Sequence, residues 1–114
     1  MYSEALEVWI LDYGELSPYV AACLSAIGQL FNGLGRSKEA KPLFERAVAI
    51  CTELYGEQHT AVATALNNLA LCLKKLGEFD EARVLYERAL LIRKTHYGDR
   101  HPAVATSLNN LGNV

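Results

Sequence analysis

Cysteine and histidine are the residue types in this sequence with the greatest capacity for nucleophilic or metal chemistry. The three cysteines, Cys23, Cys51 and Cys72, form no CxxC pair, and no histidine stands at helical spacing from any of them. A catalytic thiol needs a neighbouring base or positive charge that lowers its pKa. The spacing therefore predicts reduced, structural thiols, as is usual in a cytoplasmic protein.

His59 and His101 begin two nearly identical segments, HTAVATALNNLA and HPAVATSLNNLG, which start 42 residues apart. Equivalent positions in successive helical units lie at least about 8 Å apart, whereas a shared zinc ion needs each nitrogen at about 2 Å. We therefore predict that these histidines mark unit boundaries and bind no metal. The sequence also lacks a glycine-rich phosphate loop, a GxSxG motif and an HExxH motif. We expect no catalytic residue, no cofactor and no enzyme activity.

The net charge and hydropathy of the sequence argue against nucleic acid and membrane as partners. The 114 residues carry a formal net charge of −2 and a pI near 5.9, which provides no basic surface to attract nucleic acid. The sequence contains no run of about 18 apolar residues that could span a bilayer. We therefore predict a cytoplasmic chain whose partners are neither nucleic acid nor membrane.

An internal repeat organises the whole chain. Stepping back 42 residues from His59 reaches Ser17, and the two units align without gaps, sharing the phrases LG, EA, ERA and YG in register. Such self-similarity is the signature of a solenoid built from one repeated unit. The predicted organisation is the end of one repeat over 1–16, two full repeats over 17–58 and 59–100, and the start of another over 101–114.

Each unit contains two segments with helical periodicity. Apolar residues recur at i, i+4 and i+7, as at Val62, Leu66 and Leu69. Ser17 before Pro18 and His101 before Pro102 are typical starts of a helix, since proline at the first position loses no hydrogen bond. The sequence therefore predicts an all-α fold of antiparallel helix pairs. The glycines suited to end these helices are Gly35 and Gly77 for first helices, and Gly14, Gly56 and Gly98 for second helices.

Small residues recur where the helices should pack against each other. Small side chains allow two helix axes to approach to about 8 Å, and large apolar residues then fill the space between them. This pattern predicts packing and no cofactor site. The small set is Gly28, Ala70, Gly112, Ala40, Ala82, Ala47 and Ala89, and the large set is Leu24, Leu66, Leu108, Ile27, Leu69, Leu111, Phe31, Leu73, Phe44 and Tyr86.

The LG, EA and ERA phrases, together with the small residues, resemble the tetratricopeptide repeat (TPR) over the whole chain. The 42-residue period and the phrases HPAVATSLNNLG and EAKPLFERAVAI are similar to the kinesin light chain type of that repeat. The resemblance implies a right-handed superhelical solenoid whose first helices line a concave groove that binds extended peptides of partner proteins. It places these residues in the groove: Ser25, Gln29, Asn67, Asn68, Leu71, Lys75, Asn109, Asn110 and Asn113.

The asparagines suit peptide binding because each amide offers two donors and one acceptor to a peptide backbone. The alternative is that one asparagine of each pair bonds within the solenoid and serves packing. Lys74 and Lys75 favour an acidic peptide, or else interact with the dipole at the end of their own helix. Threonines Thr64 and Thr106 stand where a carboxylate clamp would need cations, so we expect no such clamp.

A rival hypothesis is a structural spacer or self-assembly module within a larger protein. Leu6 and Val8 near one end of the chain, and Leu108 and Leu111 near the other, would lack partner helices in an isolated array. We therefore expect head-to-tail self-association between copies through these faces.

Overall fold

The computed structural model describes residues 17–98 and 100–112, and these residues form helices joined by short connections. The predicted segment 1–16, including Gly14, Leu6 and Val8, lies outside the described residues, as does Asn113. In the part of the chain that is described, no helix combines the length and apolar character needed to cross a membrane. The helices are α1 (Pro18–Gly33), α2 (Ser37–Tyr55), α3 (Thr60–Lys75), α4 (Phe79–Tyr97) and α5 (Pro102–Gly112).

Each first helix begins with a side-chain cap. The hydroxyl of Ser17 accepts a hydrogen bond from the Tyr19 amide at 3.2 Å, and Pro18 follows it. His101 caps α5 through Nδ1, which accepts from the Ala103 amide at 3.0 Å. Both predicted helix starts are confirmed. His59 caps α3 in the same way, so the histidines at the unit boundaries have a local structural role.

The first helices end in a glycine with a left-handed backbone. Gly35 has φ +78°, its amide donates to Asn32 O at 3.2 Å, and the Arg36 amide donates to Phe31 O at 2.8 Å. This pair of bonds is the Schellman arrangement, which satisfies carbonyls that the helix end leaves open. The end of α3 repeats it at Gly77. The second helices likewise end at Gly56 and Gly98, both with positive φ, so these four predicted helix ends are confirmed.

The helices pack in chain order as antiparallel neighbours. The connections after α1 and α3 are so short that the next helix must fold back along the previous one. Each helix contacts its neighbours in the chain, and α1 also contacts α3 directly. First helices therefore form one layer and second helices the other, which confirms the predicted all-α solenoid of helix pairs.

Most of the predicted small residues lie where the layers are closest, but the prediction was wrong for Gly112, which is exposed and has no atom within 4 Å of an added Cβ because no described helix packs on it. A Cβ atom added at Gly28 would stand 2.8 Å from the Phe44 ring, so only hydrogen fits there without movement. The alanines Ala40, Ala47, Ala82 and Ala89 are all buried at the same interfaces. Leu24, Leu66, Leu73, Phe44 and Tyr86 fill the core, whereas Leu108 is 50 % exposed because no described helix covers that side of α5.

Polar contacts join the first helix pair to the second. The Cys72 thiol donates to Ser37 O at 3.2 Å, and Lys41 Nζ lies 3.3 Å from the Glu78 carboxylate. The first of these bonds is buried, whereas the ion pair is partly exposed, so solvent screens it and it adds little to stability. These contacts join α3 and the residue before α4 to α2, beside the apolar packing of α2 on α3.

Candidate peptide-binding groove

The layer of first helices carries two adjoining depressions. The first depression lies between the starts of α1 and α3 and has a volume of about 450 Å³. Its lining is mostly apolar and includes Ala22, Ala26 and Ala65. The second depression, of about 230 Å³, lies toward the ends of the same helices and includes Asn32 and Phe44. Alanines on facing helices leave the first depression wide, because no large side chain occupies it.

Five of the sequence-predicted residues meet in these depressions. Gln29 and Asn68 line both of them, and Gln29 Nε2 donates to Asn68 Oδ1 at 3.4 Å across the two helices. This distance is at the long end of the hydrogen-bond range, so the two amides keep most of their bonding capacity. The others are Ser25 in the first depression, and Leu71 and Lys75 in the second.

Leu71 and Lys75 add an apolar and a cationic group to the second depression. Leu71 is 42 % exposed, so part of its apolar side chain faces the second depression. Lys75 Nζ donates to Asn32 O at 3.4 Å. Its positive charge therefore interacts favourably with the helix dipole at the end of α1, and the side chain remains exposed. Lys74 is partly buried. Both lysines therefore lie at helix ends, and Lys75 alone reaches the depression.

Asn67 points to a different place from its neighbour Asn68. In the amide orientation that satisfies both side chains, Asn67 Oδ1 accepts from Arg93 Nη1 at 2.6 Å and from Nη2 at 3.0 Å. Arg93 Nη1 also donates to Ser107 Oγ at 2.9 Å and lies 3.4 Å from Ala103 O. These bonds link α3, α4 and α5 through one guanidinium, which corresponds to the packing alternative for Asn67.

Asn109 and Asn110 lie on α5, away from the two depressions. Asn109 is exposed and Asn110 is partly buried. Neither lines the first or the second depression. The structure therefore groups the residues of α1 and α3 and leaves those of α5 separate.

Arg93 lines a further depression that the sequence interpretation did not predict. With His59, Thr64 and Tyr97 it lines a third depression of about 260 Å³, which we name the Arg93 pocket. Burial lowers the pKa of the Arg93 guanidinium, which nevertheless stays protonated, as arginine does in proteins. Within the described residues its hydrogen-bond partners are neutral oxygens. One sequence signal could have located it, since Arg93 follows the buried Ala89 by four residues and so falls on the inner side of α4.

The two junctions between repeats differ at the equivalent positions. Where the second junction has Asn67, Arg93 and Ser107, the first has Ser25, Cys51 and Ala65. Cys51 lies at the edge of the first depression, and burial raises the pKa of its thiol. The first junction is therefore apolar and uncharged at these positions, while the second carries a partly desolvated cation.

A metal site would require several donor side chains close together. Across 17–98 and 100–112, the His, Cys, Asp and Glu side chains nowhere gather in a group of three that could hold an ion. The nearest histidines, His59 and His96, have ring centroids 6.4 Å apart, and Nδ1 of His59 is used by the helix cap.

Stacked antiparallel helix pairs with small residues between the layers define a helical-repeat solenoid. Comparison with known families agrees, because the tetratricopeptide repeat profile matches residues 1–53, 31–94 and 62–114. The chain belongs to the tetratricopeptide repeat family. No match was found among the curated proteins.

Solved structures with this fold include kinesin light chain-like repeat proteins. BtubC (BKLC) from P. vanneervenii is 31 % identical with a TM-score of 0.88 over 98 % of this chain and 45 % of its own. A Podosopora anserina kinesin light chain-type protein with nearly identical TPR-like repeats is 20 % identical with a TM-score of 0.89, over 98 % of this chain and 53 % of its own. The chain thus spans about half the length of these relatives. It is a protein-interaction scaffold in its general class, as TPR solenoids are.

Proposed function

We propose that the groove formed by α1, α3 and α5 binds an extended, acidic peptide segment of a partner protein, without catalysis. This is the role that the resemblance to kinesin light chain-type repeats implies, and it makes the chain a cytoplasmic adaptor module. The amides of Gln29 and Asn68 would hold the peptide backbone, and the exposed Leu71 would contact an apolar side chain. The single observation that carries the proposal is the partly buried guanidinium of Arg93, whose described hydrogen-bond partners are all neutral.

Arg93 favours an acidic ligand for an electrostatic reason. Its guanidinium is partly withdrawn from water, and its described partners are neutral oxygens of Asn67, Ser107 and Ala103. A carboxylate entering the Arg93 pocket would add a charge-assisted hydrogen bond, the stronger class of hydrogen bond. The Thr64 hydroxyl and His59 lie beside it and offer further polar contacts.

The experiment is a selection of peptides from a displayed library on the chain, followed by titration of the enriched sequences by fluorescence polarisation. We expect the selected peptides to contain Asp or Glu and to bind more weakly as salt is raised. Arg93→Gln should weaken binding roughly tenfold or more. Arg93→Lys should retain part of the affinity, because it keeps the charge but loses the planar fork.

The matched control is Arg88→Gln, which removes the same charge from an exposed position on the same helix. It should leave peptide affinity within about twofold of the parent, because a surface charge outside the groove contributes little. Unfolding curves of each variant show whether the fold is intact. Equal loss of affinity in Arg88→Gln and Arg93→Gln, with both folded, would contradict the groove assignment.

Self-association is the second candidate, and the half-exposed Leu108 favours it. Its equivalents Leu24 and Leu66 are fully buried by the next helices. A second copy that placed a helix against α5 would bury Leu108 in the same manner. This contact would be heterologous, so it would join copies head to tail.

A further inference from the structure

The second depression contains a buried amide whose nitrogen the fold does not use. Asn32 is only 5 % exposed, and its Oδ1 accepts from Ser37 Oγ at 2.6 Å. This bond fixes the amide and leaves Nδ2 as its free polar atom. Among the described residues, every enclosed side-chain nitrogen or oxygen has a hydrogen-bond partner. Nδ2 has none there, so it is not enclosed and opens into the depression that Asn32 lines.

The other polar groups of the second depression are also mainly donors. Lys75 Nζ uses one N–H bond on Asn32 O and keeps the others. The Asn68 amide accepts from Gln29 and keeps both of its own N–H bonds. Among the described residues that line this depression, none is Asp or Glu. A ligand group placed there must therefore accept hydrogen bonds, and Lys75 attracts a negative charge on it.

The helix ends beside the depression weaken this attraction only in part. Both α1 and α3 end here, and free carbonyls at the C-terminus of a helix repel an anion. The carbonyls in question are already bonded, because Asn32 O accepts from the Gly35 amide as well as from Lys75. The amide of Gly77 donates to Lys74 O in the same way at the end of α3.

We propose that the second depression binds the side-chain carboxylate of an Asp or Glu in the partner segment. Asn32 Nδ2 donates to one carboxylate oxygen and Lys75 Nζ to the other, while Gln29 and Asn68 hold the peptide backbone beside it. A carboxylate fits because it is an acceptor-only group with two oxygens. The inference rests on the proposed function and extends it, since it adds a second acidic position to a ligand whose first acidic position is at Arg93.

The site is particular to the first full repeat. In the next repeat, 42 residues further on, the positions of Asn32 and Ser37 are occupied by Lys74 and Phe79. The second helix pair forms without the bond between Asn32 and Ser37. A buried asparagine at this place is therefore not a requirement of the repeated unit, which supports a binding role for its free nitrogen.

The two acidic positions have a defined separation. The Arg93 pocket lies on the α5 side of α3 near Thr64, whereas the second depression lies on the α1 side near Leu71. Seven helical residues advance about 10 Å along the axis, and neighbouring helices are offset by roughly 8 to 10 Å, so the sites are about 13 to 15 Å apart. An extended chain rises about 3.4 Å per residue, so the two carboxylates should be about four positions apart.

The first experiment uses short synthetic peptides with acetylated and amidated ends, so that Asp side chains are their only carboxylates. Each peptide carries two Asp residues in a background of Gly, Ser and Leu, at separations from adjacent to about eight positions. In the reference peptide one Asp is replaced by Asn. Fluorescence polarisation should show roughly tenfold tighter binding than the reference at a separation of about four. Equal affinity at every separation would overturn the inference.

The second experiment repeats the titration on variants of the chain. Lys75→Gln removes the charge from an exposed side chain, and Asn32→Ala removes the free donor and keeps a good helix former. Each should remove most of the gain from the second Asp and leave affinity for the reference peptide within about twofold. Because Lys75 is exposed, its variant tests the site even where Asn32→Ala changes the end of α1.

Lys74→Gln is the matched control, because Lys74 adjoins Lys75 in the sequence but does not line the second depression. It should keep the gain from the second Asp. Unfolding curves of each variant show whether the fold is intact. An equal loss of the gain in Lys74→Gln and Lys75→Gln, with both folded, would contradict the assigned site.

These titrations separate a failure of the second acidic position from a failure of the proposed function. Binding of the reference peptide that is lost in Arg93→Gln, with no gain from a second Asp at any separation, would leave the proposed function standing and refute the second position. If none of the peptides binds, the proposed function fails and this inference fails with it.

Discussion

At the scale of single residues, Asn67 and Asn68 show how two adjacent identical side chains acquire different roles. Successive residues on a helix point about 100° apart, so the two amides leave α3 in different directions. Asn67 accepts from Arg93, while Asn68 lies between the two depressions beside Gln29. The guanidinium of Arg93 thus depends on Asn67 for one of its acceptors.

Alanine substitutions should separate these roles. Asn67→Ala should reduce the free energy of unfolding by about 1 to 3 kcal/mol, because a half-buried charged donor loses its acceptor. Asn68→Ala should leave stability within about 0.5 kcal/mol, since its only described bond is long and exposed. Urea unfolding measures both, and peptide titration should show the reverse order of effects. Equal destabilisation by the two substitutions would refute the assigned difference.

The cysteines make a second prediction at this scale. Burial raises the pKa of Cys51 and of Cys72, and the Cys72 thiol is fully buried and donates to Ser37 O. Cys23 is only partly buried. At about pH 7.5, iodoacetamide should modify Cys23 first and Cys72 last, because the thiolate is the reactive form. Mass spectrometry of peptides over a time course measures the order, and fast labelling of Cys72 in the folded chain would be inconsistent with it.

At the scale of helices, the end of α1 depends on Gly35 more than on Gly33. Gly35 has φ +78°, which a side chain disfavours, whereas Gly33 is the last helical residue, and no atom stands within 4 Å of a Cβ placed there. The two glycines are two positions apart and have opposite conformational requirements.

Alanine at each position tests this difference. Gly35→Ala should lower the free energy of unfolding by about 1 to 2 kcal/mol, because alanine resists the left-handed conformation. Gly33→Ala should leave it unchanged or raise it by up to about 1 kcal/mol through its higher helix propensity. Thermal and urea unfolding of the matched pair measure the contrast. A larger loss in Gly33→Ala than in Gly35→Ala would show that α1 ends elsewhere.

At the scale of the whole molecule, stability is a sum over neighbouring helices. Each described helix packs mainly on those before and after it in the chain. The second junction adds the bonds of Arg93 to three helices, whereas the first junction has Cys51 at that position and relies on apolar packing. We therefore expect a destabilising substitution at the first junction to begin unfolding at a different helix from one at the second junction.

Self-association is the prediction that belongs to this scale. If copies associate through α5, the sedimentation coefficient of the chain should rise with concentration. Leu108→Glu should suppress that rise, because it places a charge on the half-exposed apolar face. Val84→Glu is a control at another exposed apolar position, on α4. A single sedimentation coefficient at all concentrations for the unmodified chain would contradict self-association.

The sequence by itself determined the repeat period, the helices, their ends and the packing residues. These features are local or periodic. A cap such as Ser17 acts within three residues, a glycine such as Gly77 ends its own helix, and alanines such as Ala82 recur at the helix interface with the period of the unit. The family resemblance then correctly indicated which helices share a surface, and the structure brings Gln29, Asn68 and Leu71 together there.

Only the tertiary structure decided how the polar side chains of that surface pair. The bonds of Arg93 to Asn67 and Ser107 join three helices and depend on side-chain direction and on the spacing of the helices. Neither quantity is encoded in any one segment, because both arise when separate helices pack. The same holds for the approach of His96 to His59, which are 37 residues apart in the sequence. The family resemblance indicated the shared surface, and the packing of the helices determined which of its amides and cations pair within the fold.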